Sequence, residues 1–136
     1  HRADVLFRNG LAEAKVKYFD QTLETIVELS KRHDLYIVTN GVTETQKRRL
    51  NQTPLHKYIK KIFISEETGY QKPNPEFFNY VFNDIGEDER QHSIIVGDSL
   101  TSDILGGINA GIATCWFNFR GFDHNPGIIP DYEINS

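Results

Sequence analysis

The sequence contains no methionine and a single cysteine, Cys115, among its 136 residues. One cysteine cannot form an internal disulfide framework, which favours a reducing, cytoplasmic setting. No apolar run approaches the roughly 20 residues that a membrane-spanning helix needs, and no segment has the pattern of a signal peptide. Because the sequence lacks an initiator methionine, we expect it to be part of a longer chain.

The sequence also has no large excess of positive or negative charge. The chain has 15 Lys and Arg against 19 Asp and Glu, so its net charge is −4. Without a basic surface, the composition gives no reason to expect a nucleic-acid partner, and nothing suggests a membrane partner. A hydrophobic content of 38%, with 12% aromatic residues, is sufficient for a core, and the length fits one domain or part of one. The oligomeric state is not indicated.

Residues 93–118 carry the most informative pattern, which predicts strand, loop, helix and strand. Asp98 comes where the first strand ends, and Asp103 falls in the first turn of the helix. In an open α/β sheet, ligands bind in the crevice at this end of the strands, and two carboxylates there suit a hard cation such as Mg²⁺. The alternative is that Asp98 only makes a turn and that Asp103 only complements the helix N-terminus.

A second strand is predicted over residues 35–38, and it is followed by Thr39, Asn40 and Gly41. A new helix begins at Thr43 and continues to about residue 50. A hydroxyl group and backbone N–H groups at such a junction can cradle a phosphate. The alternative is that these three residues form only a tight turn.

A third strand is predicted over residues 62–64, and a polar loop that contains Lys72 follows it. Pro73 restricts the backbone of Lys72 to the extended region, so its ammonium group can be aimed from the loop. The alternative is a solvated surface charge. Asn74 and Pro75 then predict the start of a helix that ends at residue 86. Its apolar face is predicted to be core: Phe77, Phe78, Val81, Phe82 and Ile85.

The remaining segments complete an α/β pattern. A helix is predicted over residues 20–33, a strand over 113–117 and a last short strand over 131–134, whereas residues 1–19 show no clean period. Three polar clusters thus follow three strands of a predicted parallel sheet with flanking helices. Because the carboxyl ends of parallel strands share one edge, we expect the clusters to lie together.

In wording as well as order, these clusters resemble the conserved motifs of haloacid dehalogenase superfamily phosphatases. LYIVTNG resembles the second motif of that family, GYQKPNPEFF the third and IIVGDSLTSD the fourth. TNGVTETQ, ISEETGYQKP and DILGGINAGIATCWFN resemble the branch of noncanonical pyrimidine 5′-nucleotidases. The resemblance covers residues 20–134, and it implies a Rossmann-like parallel sheet with flanking helices.

The resemblance also implies a phosphate site. Thr39, with the amides of Asn40 and Gly41, would hold phosphoryl oxygens, and Lys72 would stabilise the negative charge of nucleophile and phosphoryl group. Backbone N–H groups and a lysine supply the positioning and charge neutralisation that phosphoryl transfer needs.

A metal site is implied as well. Asp98 would bind Mg²⁺ directly, and Asp103 would order the water shell of the metal or brace Lys72. Together with Thr39 and Lys72, Asp103 would belong to the catalytic set. Because dehalogenases of the superfamily need no metal, the two carboxylates favour a phosphatase.

The first motif of the family, Asp-x-Asp-x-Thr with its nucleophilic Asp, is missing. The nearest string is residues 18–22, but Tyr18 would take the place of the nucleophile, and we interpret the match as coincidence. We therefore assign residues 1–19 to the end of a cap and its return linker, and residues 20–136 to a partial core that lacks the nucleophile strand and most of the helical cap. We expect the strands that carry Thr39 and Asp98 to have no shared neighbour.

The function that the resemblance implies is Mg²⁺-dependent removal of phosphate from nucleoside 5′-monophosphates through an aspartyl-phosphate. The nucleophilic Asp would lie outside these 136 residues, so the chain alone is expected to be inactive. Two alternatives stay open: a sugar-phosphate phosphatase of the same superfamily, or a catalytically incomplete fragment that binds Mg²⁺ and phosphate.

Overall fold

A computed structural model of the chain describes residues 3–8, 19–40, 43–52, 54–118 and 120–135. The strands are β1 (Ala3–Arg8), β2 (His33–Thr39), β3 (Lys61–Ile64), β4 (Ser93–Gly97), β5 (Ala113–Phe117) and β6 (Tyr132–Ile134). The α-helices are α1 (Phe19–Ser30), α2 (Thr43–Asn51), α3 (Ser65–Thr68), α4 (Pro75–Ile85) and α5 (Leu105–Ala110). Shorter helical turns cover Pro54–Tyr58, Glu87–His92 and Leu100–Ile104.

The six strands form one sheet in the order β3-β2-β1-β4-β5-β6, and every neighbouring pair is parallel. Parallel pairing places all carboxyl ends at the same edge. The predicted Rossmann-like parallel sheet with flanking helices is therefore confirmed.

Successive residues of β2 face opposite sides of the sheet, as a strand requires. Tyr36 and Val38 pack in the cluster that contains the aromatic residues of α4. Leu35 and Ile37 pack on the other side against Ile26 of α1. Because both faces of β2 are covered, residues 35–38 of this strand form a continuous apolar run, as is typical of strands in buried parallel sheets.

Helix α4 begins and ends as the sequence predicts. The Asn74 side chain accepts a hydrogen bond from the backbone N–H of Glu76 at 3.0 Å, and Pro75 is the first helical residue. Gly86 follows the last turn with a positive φ of 117°. Four of the five predicted core positions of this helix are fully buried, namely Phe77, Phe78, Val81 and Phe82, whereas Ile85 is partly buried against the same cluster.

Strand β1 is not predicted from the sequence. In this structure Ala3–Arg8 forms a strand that pairs with β2 on one side and with β4 on the other. The strands that end at Thr39 and before Asp98 therefore do share a neighbour, contrary to expectation. The physical reason is that two buried strands need partners for their backbone N–H and C=O groups, and β1 supplies them while burying Val5 and Leu6.

Smaller differences concern the loops. The loop predicted after β3 contains the short helix α3, and the last strand begins at Tyr132. Helix α1 ends at Ser30 rather than at the predicted residue 33, because strand β2 already begins at His33. In the part of the chain that the structure describes, none of the helices has the length and apolar character needed to cross a membrane.

Candidate active site

The polar clusters predicted from the sequence lie at the carboxyl edge of the sheet. Thr39 is the last residue of β2, Asn40 follows it, and Asp98 comes directly after β4. Lys72 lies in the loop between α3 and α4, and its ammonium group reaches the end of β2, where it donates to the backbone oxygen of Val38 at 3.1 Å. Gly41, the remaining predicted phosphate ligand, lies outside the described residues.

The Lys72 ammonium nitrogen lies 2.5 Å from Oδ1 of Asp103, and both side chains are at most 1% exposed. Lys72 is therefore not a solvated surface charge. A buried cation needs both charge compensation and hydrogen-bond acceptors, which here are the Asp103 carboxylate and the backbone oxygen of Val38. The pair fixes the ammonium group beside the end of β2.

Asn40 holds the same lysine through its backbone. The Asn40 amide nitrogen Nδ2 donates to the backbone oxygen of Lys72 at 3.2 Å, and Oδ1 accepts from the backbone N–H of Lys72 at 3.0 Å. The side chain of Asn40 therefore positions Lys72, a role that the sequence did not indicate. The neighbouring Thr39 is buried, and its hydroxyl donates to the backbone oxygen of Asn40 at 3.3 Å.

Asp103 is packed against the end of β4, and both of its carboxylate oxygens have partners. Oδ1 pairs with Lys72, and Oδ2 accepts from the backbone N–H of Ser99 at 3.2 Å. A Cβ atom at Gly97 would come within 2.4–2.6 Å of the Asp103 side chain, so only glycine at position 97 leaves room for Asp103. Of the two predicted roles of Asp103, the geometry supports bracing of Lys72.

Asp98 has a different environment, which involves two residues that sequence reasoning missed. Its Oδ2 lies 3.3 Å from Nη1 of Arg120, and its backbone oxygen accepts from Nε1 of Trp116 at 3.0 Å. Trp116 lies in β5, the strand next to β4, and Arg120 lies in the loop after β5. The sequence offered one signal for Arg120: a loop that follows a parallel strand begins at the carboxyl edge of the sheet, where the site lies.

The Asp98 carboxylate suits a hard cation, because it is 13% exposed and already faces one positive group. Among the described residues, no group of three or more His, Cys, Asp or Glu side chains could hold a metal ion. The donor set in this part of the chain therefore fits a partly hydrated ion such as Mg²⁺, held through a carboxylate, rather than an all-protein cage.

An open depression of about 770 Å³ lies on the Lys72 loop. It is lined by residues of α3 and of the connection to α4: Ser65, Glu66, Gly69, Tyr70, Gln71, Lys72, Pro73 and Asn74.

A comparison with known protein families identifies the class of protein to which this sheet and its polar edge belong. The profile of the haloacid dehalogenase-like hydrolases matches residues 5–117, and the chain belongs to this family.

Three relatives come from bacteria. The protein YfnB of Bacillus subtilis (strain 168) is named as a HAD-hydrolase. Its sequence is 50% identical to this chain over 128 residues, which cover 94% of this chain and 54% of YfnB. The pyrimidine 5′-nucleotidase YjjG of Escherichia coli (strain K12) is 44% identical over 100 residues, or 74% of this chain and 44% of YjjG. The pyrimidine 5′-nucleotidase PynA of Streptococcus pneumoniae (strain ATCC BAA-255 / R6) is 39% identical over 114 residues, or 84% of this chain and 47% of PynA.

A crystal structure of YfnB bound to magnesium matches with a TM-score of 0.82 at 50% identity, over 85% of this chain and 51% of that one. The chain spans about half the length of the curated relatives that it matches.

Proposed function

We propose that this chain is part of the catalytic core of a Mg²⁺-dependent phosphohydrolase that acts on nucleoside 5′-monophosphates through an aspartyl-phosphate. The observation that carries the proposal is the buried Lys72 ammonium, held by Asp103 at the edge where Thr39 and Asp98 also lie. Membership in the haloacid dehalogenase-like hydrolases and the likeness to two pyrimidine 5′-nucleotidases support the reaction class and the substrate. The partner is thus a small phosphorylated metabolite.

The chemistry requires positioning and charge neutralisation more than covalent participation. Lys72 would neutralise charge on the attacking carboxylate and on the phosphoryl group, while Asp103 and Asn40 keep it in place. The Thr39 hydroxyl and the N–H groups of Asn40 and Gly41 would donate to phosphoryl oxygens at the end of β2.

The nucleophilic carboxylate attacks phosphorus, the ester P–O bond breaks, and the nucleoside leaves as an alcohol after taking a proton. Water then cleaves the acyl phosphate, which returns the carboxylate and releases inorganic phosphate. The sequence has Arg8, Asn9 and Gly10 where β1 ends, so none of these three positions offers a carboxylate. We therefore place the nucleophilic Asp outside these 136 residues.

Asp98 would hold Mg²⁺, and Asp103, which braces Lys72, would at most order the water shell of the ion. When bound, the ion would neutralise phosphoryl charge and orient the phosphate. The crystal structure of YfnB is bound to magnesium, which supports the choice of ion.

The resemblance places the nucleophile strand between the strands of Thr39 and Asp98, the position of β1 in this structure. We propose that the nucleophile strand replaces β1 there in a longer protein, so that residues 1–19 serve as the end of the cap and its return linker. Hydrogen exchange in the complete protein tests this: fast exchange of the amides of residues 3–8 is expected. Protection of these amides as strong as that of β2 would contradict it.

The decisive experiment measures phosphate release from UMP and dUMP by the complete purified protein with Mg²⁺. Asp98→Asn should abolish turnover, whereas Asp84→Asn, the same chemical change in an exposed pair with Lys61, should leave it unchanged. Unchanged phosphate release by Asp98→Asn would contradict the assignment of Asp98.

A sugar-phosphate phosphatase is the second candidate, because the same edge residues would serve any phosphate ester. A panel of phosphate esters separates the two, and a strong preference for sugar phosphates over UMP and dUMP would overturn the nucleotidase assignment. An intact mass equal to that of the 136 residues would favour the incomplete fragment instead. We also propose a reducing, cytoplasmic setting, on the grounds of the single buried Cys115.

A further inference from the structure

Asp98 is paired with a cation that belongs to the chain itself. Nη1 of Arg120 lies 3.3 Å from Oδ2 of Asp98, the carboxylate that the proposed function assigns to Mg²⁺. A guanidinium group and a divalent cation repel each other, so both cannot sit against one carboxylate without a loss of binding free energy. Arg120 and a metal ion are therefore competitors for Asp98.

The backbone around Arg120 is held, whereas its side chain reaches outward. The buried side chain of Asn118 accepts from the N–H of Phe122 at 2.8 Å and donates to the backbone oxygen of Phe122 at 2.9 Å, closing the loop on either side of Arg120. The Arg120 side chain is 53% exposed, and its guanidinium carbon lies 5.9 Å from the Phe122 ring centroid. The guanidinium group can therefore make a cation–π contact with this ring when it is not paired with Asp98.

The other ion pair of the site is less easily exchanged. The Lys72 and Asp103 side chains are at most 1% exposed, and removing a partner from such a pair leaves an uncompensated buried charge. In the Arg120 pair the guanidinium side is exposed at 53%, whereas Asp98 is 13% exposed, so a displaced Arg120 side chain moves into water instead of leaving a buried charge. An incoming cation would thus displace Arg120 and leave Lys72 in place.

We propose that Arg120 is a counter-ion of Asp98 that competes with a divalent cation. Its guanidinium group pairs with the Asp98 carboxylate when the cation is absent and is displaced when the cation binds. This competition lowers the affinity of the site for the cation. The inference rests on the proposed function, in which Asp98 binds the metal. Arg120 is a positioning residue in this scheme, because it acts on the metal through Asp98.

The test measures divalent-cation affinity without turnover. Mn²⁺ replaces Mg²⁺ as the probe, and the electron paramagnetic resonance signal of free Mn²⁺ is followed while the complete protein is titrated. Arg120→Ala should lower the Mn²⁺ dissociation constant about two- to fivefold, the range expected from loss of an exposed ion pair. Arg120→Lys, which keeps the charge, should stay closer to the wild-type value.

Arg48→Ala is the matched control, because it removes the same charge from an exposed pair on α2 and should leave the affinity unchanged. The ratio of dissociation constants between wild type and Arg120→Ala should also move toward one at about 0.5 M KCl, because salt screens the charge of the exposed Arg120 guanidinium group. Unchanged or weaker binding by Arg120→Ala, or an equal gain in Arg48→Ala, would overturn the inference alone. Unchanged binding by Asp98→Asn would overturn both the inference and the proposed metal site.

Discussion

Lys72 and Asp103, 31 residues apart in the chain, form an ion pair with 2.5 Å between the ammonium nitrogen and the carboxylate oxygen. Neither side chain is more than 1% exposed. The pair ties the loop before α4 to the turn after β4, and its two charges compensate each other away from water. Each charge is therefore costly to bury without the other.

Replacing Lys72 with an apolar residue should destabilise the protein strongly. Lys72→Met leaves the Asp103 carboxylate buried and unpaired, and a loss of about 3–5 kcal/mol is expected in the free energy of unfolding measured by urea denaturation. The double variant Lys72→Met with Asp103→Leu should recover part of this loss, because no charge remains. Strictly additive effects of Lys72→Met and Asp103→Leu would contradict the pairing.

Gly97 should not tolerate a side chain. Gly97→Ala places a Cβ within 2.4–2.6 Å of the Asp103 side chain, and relief of this clash requires movement of a buried, paired group. We expect a loss of about 1–3 kcal/mol, as for other overpacked sites, measured by urea denaturation. Asn109→Ala, at an exposed position of α5, is the control and should stay within about 0.5 kcal/mol of wild type.

Asn40 should affect catalysis through Lys72. Asn40→Ala removes two hydrogen bonds to the Lys72 backbone, which should cost about 1–3 kcal/mol of stability, at about 0.5–1.5 kcal/mol for each bond. Because a misplaced ammonium group neutralises charge less well in the transition state, kcat should fall more than KM rises. Steady-state kinetics of the complete protein measure this.

Gln71→Ala in the same loop is the stability control for Asn40→Ala, since the Gln71 side chain is exposed. A raised KM at wild-type kcat for Asn40→Ala would show that Asn40 acts in substrate binding rather than in holding Lys72.

Cys115 should be unreactive in the folded protein. Burial raises the pKa of the Cys115 thiol, so less of the reactive thiolate is present at any given pH than in the unfolded chain. Its reaction with a chromogenic disulfide reagent at pH 8 should therefore be much slower in native buffer than in denaturant. Equal rates in the two conditions would show that the thiol is accessible in the native state.

Local patterns were sufficient for much of this molecule. The cap formed by Asn74 and Pro75, and the apolar stripe of α4, are consequences of nearest-neighbour chemistry, and the structure confirms them. The position of Lys72 was predictable too, because a parallel sheet brings strand ends to one edge. Its burial was not, because a lysine in a polar loop is usually solvated.

Strand β1 shows where such reasoning failed. Ala3–Arg8 has no clean period, and it forms a strand because β2 and β4 lie on either side of it. The pair between Arg120 and Asp98 likewise joins residues 22 positions apart, across a loop that no local rule specifies.

By itself, the sequence determined the α/β class, the succession of strands from β2 to β6 and the residue types at the polar edge, because these follow from local periodicity, caps and turns. Only the tertiary structure decided which charges are paired, since pairing depends on burial and on contacts between distant segments. Lys72 is fixed by Asp103 and Asn40, and Asp98 faces Arg120.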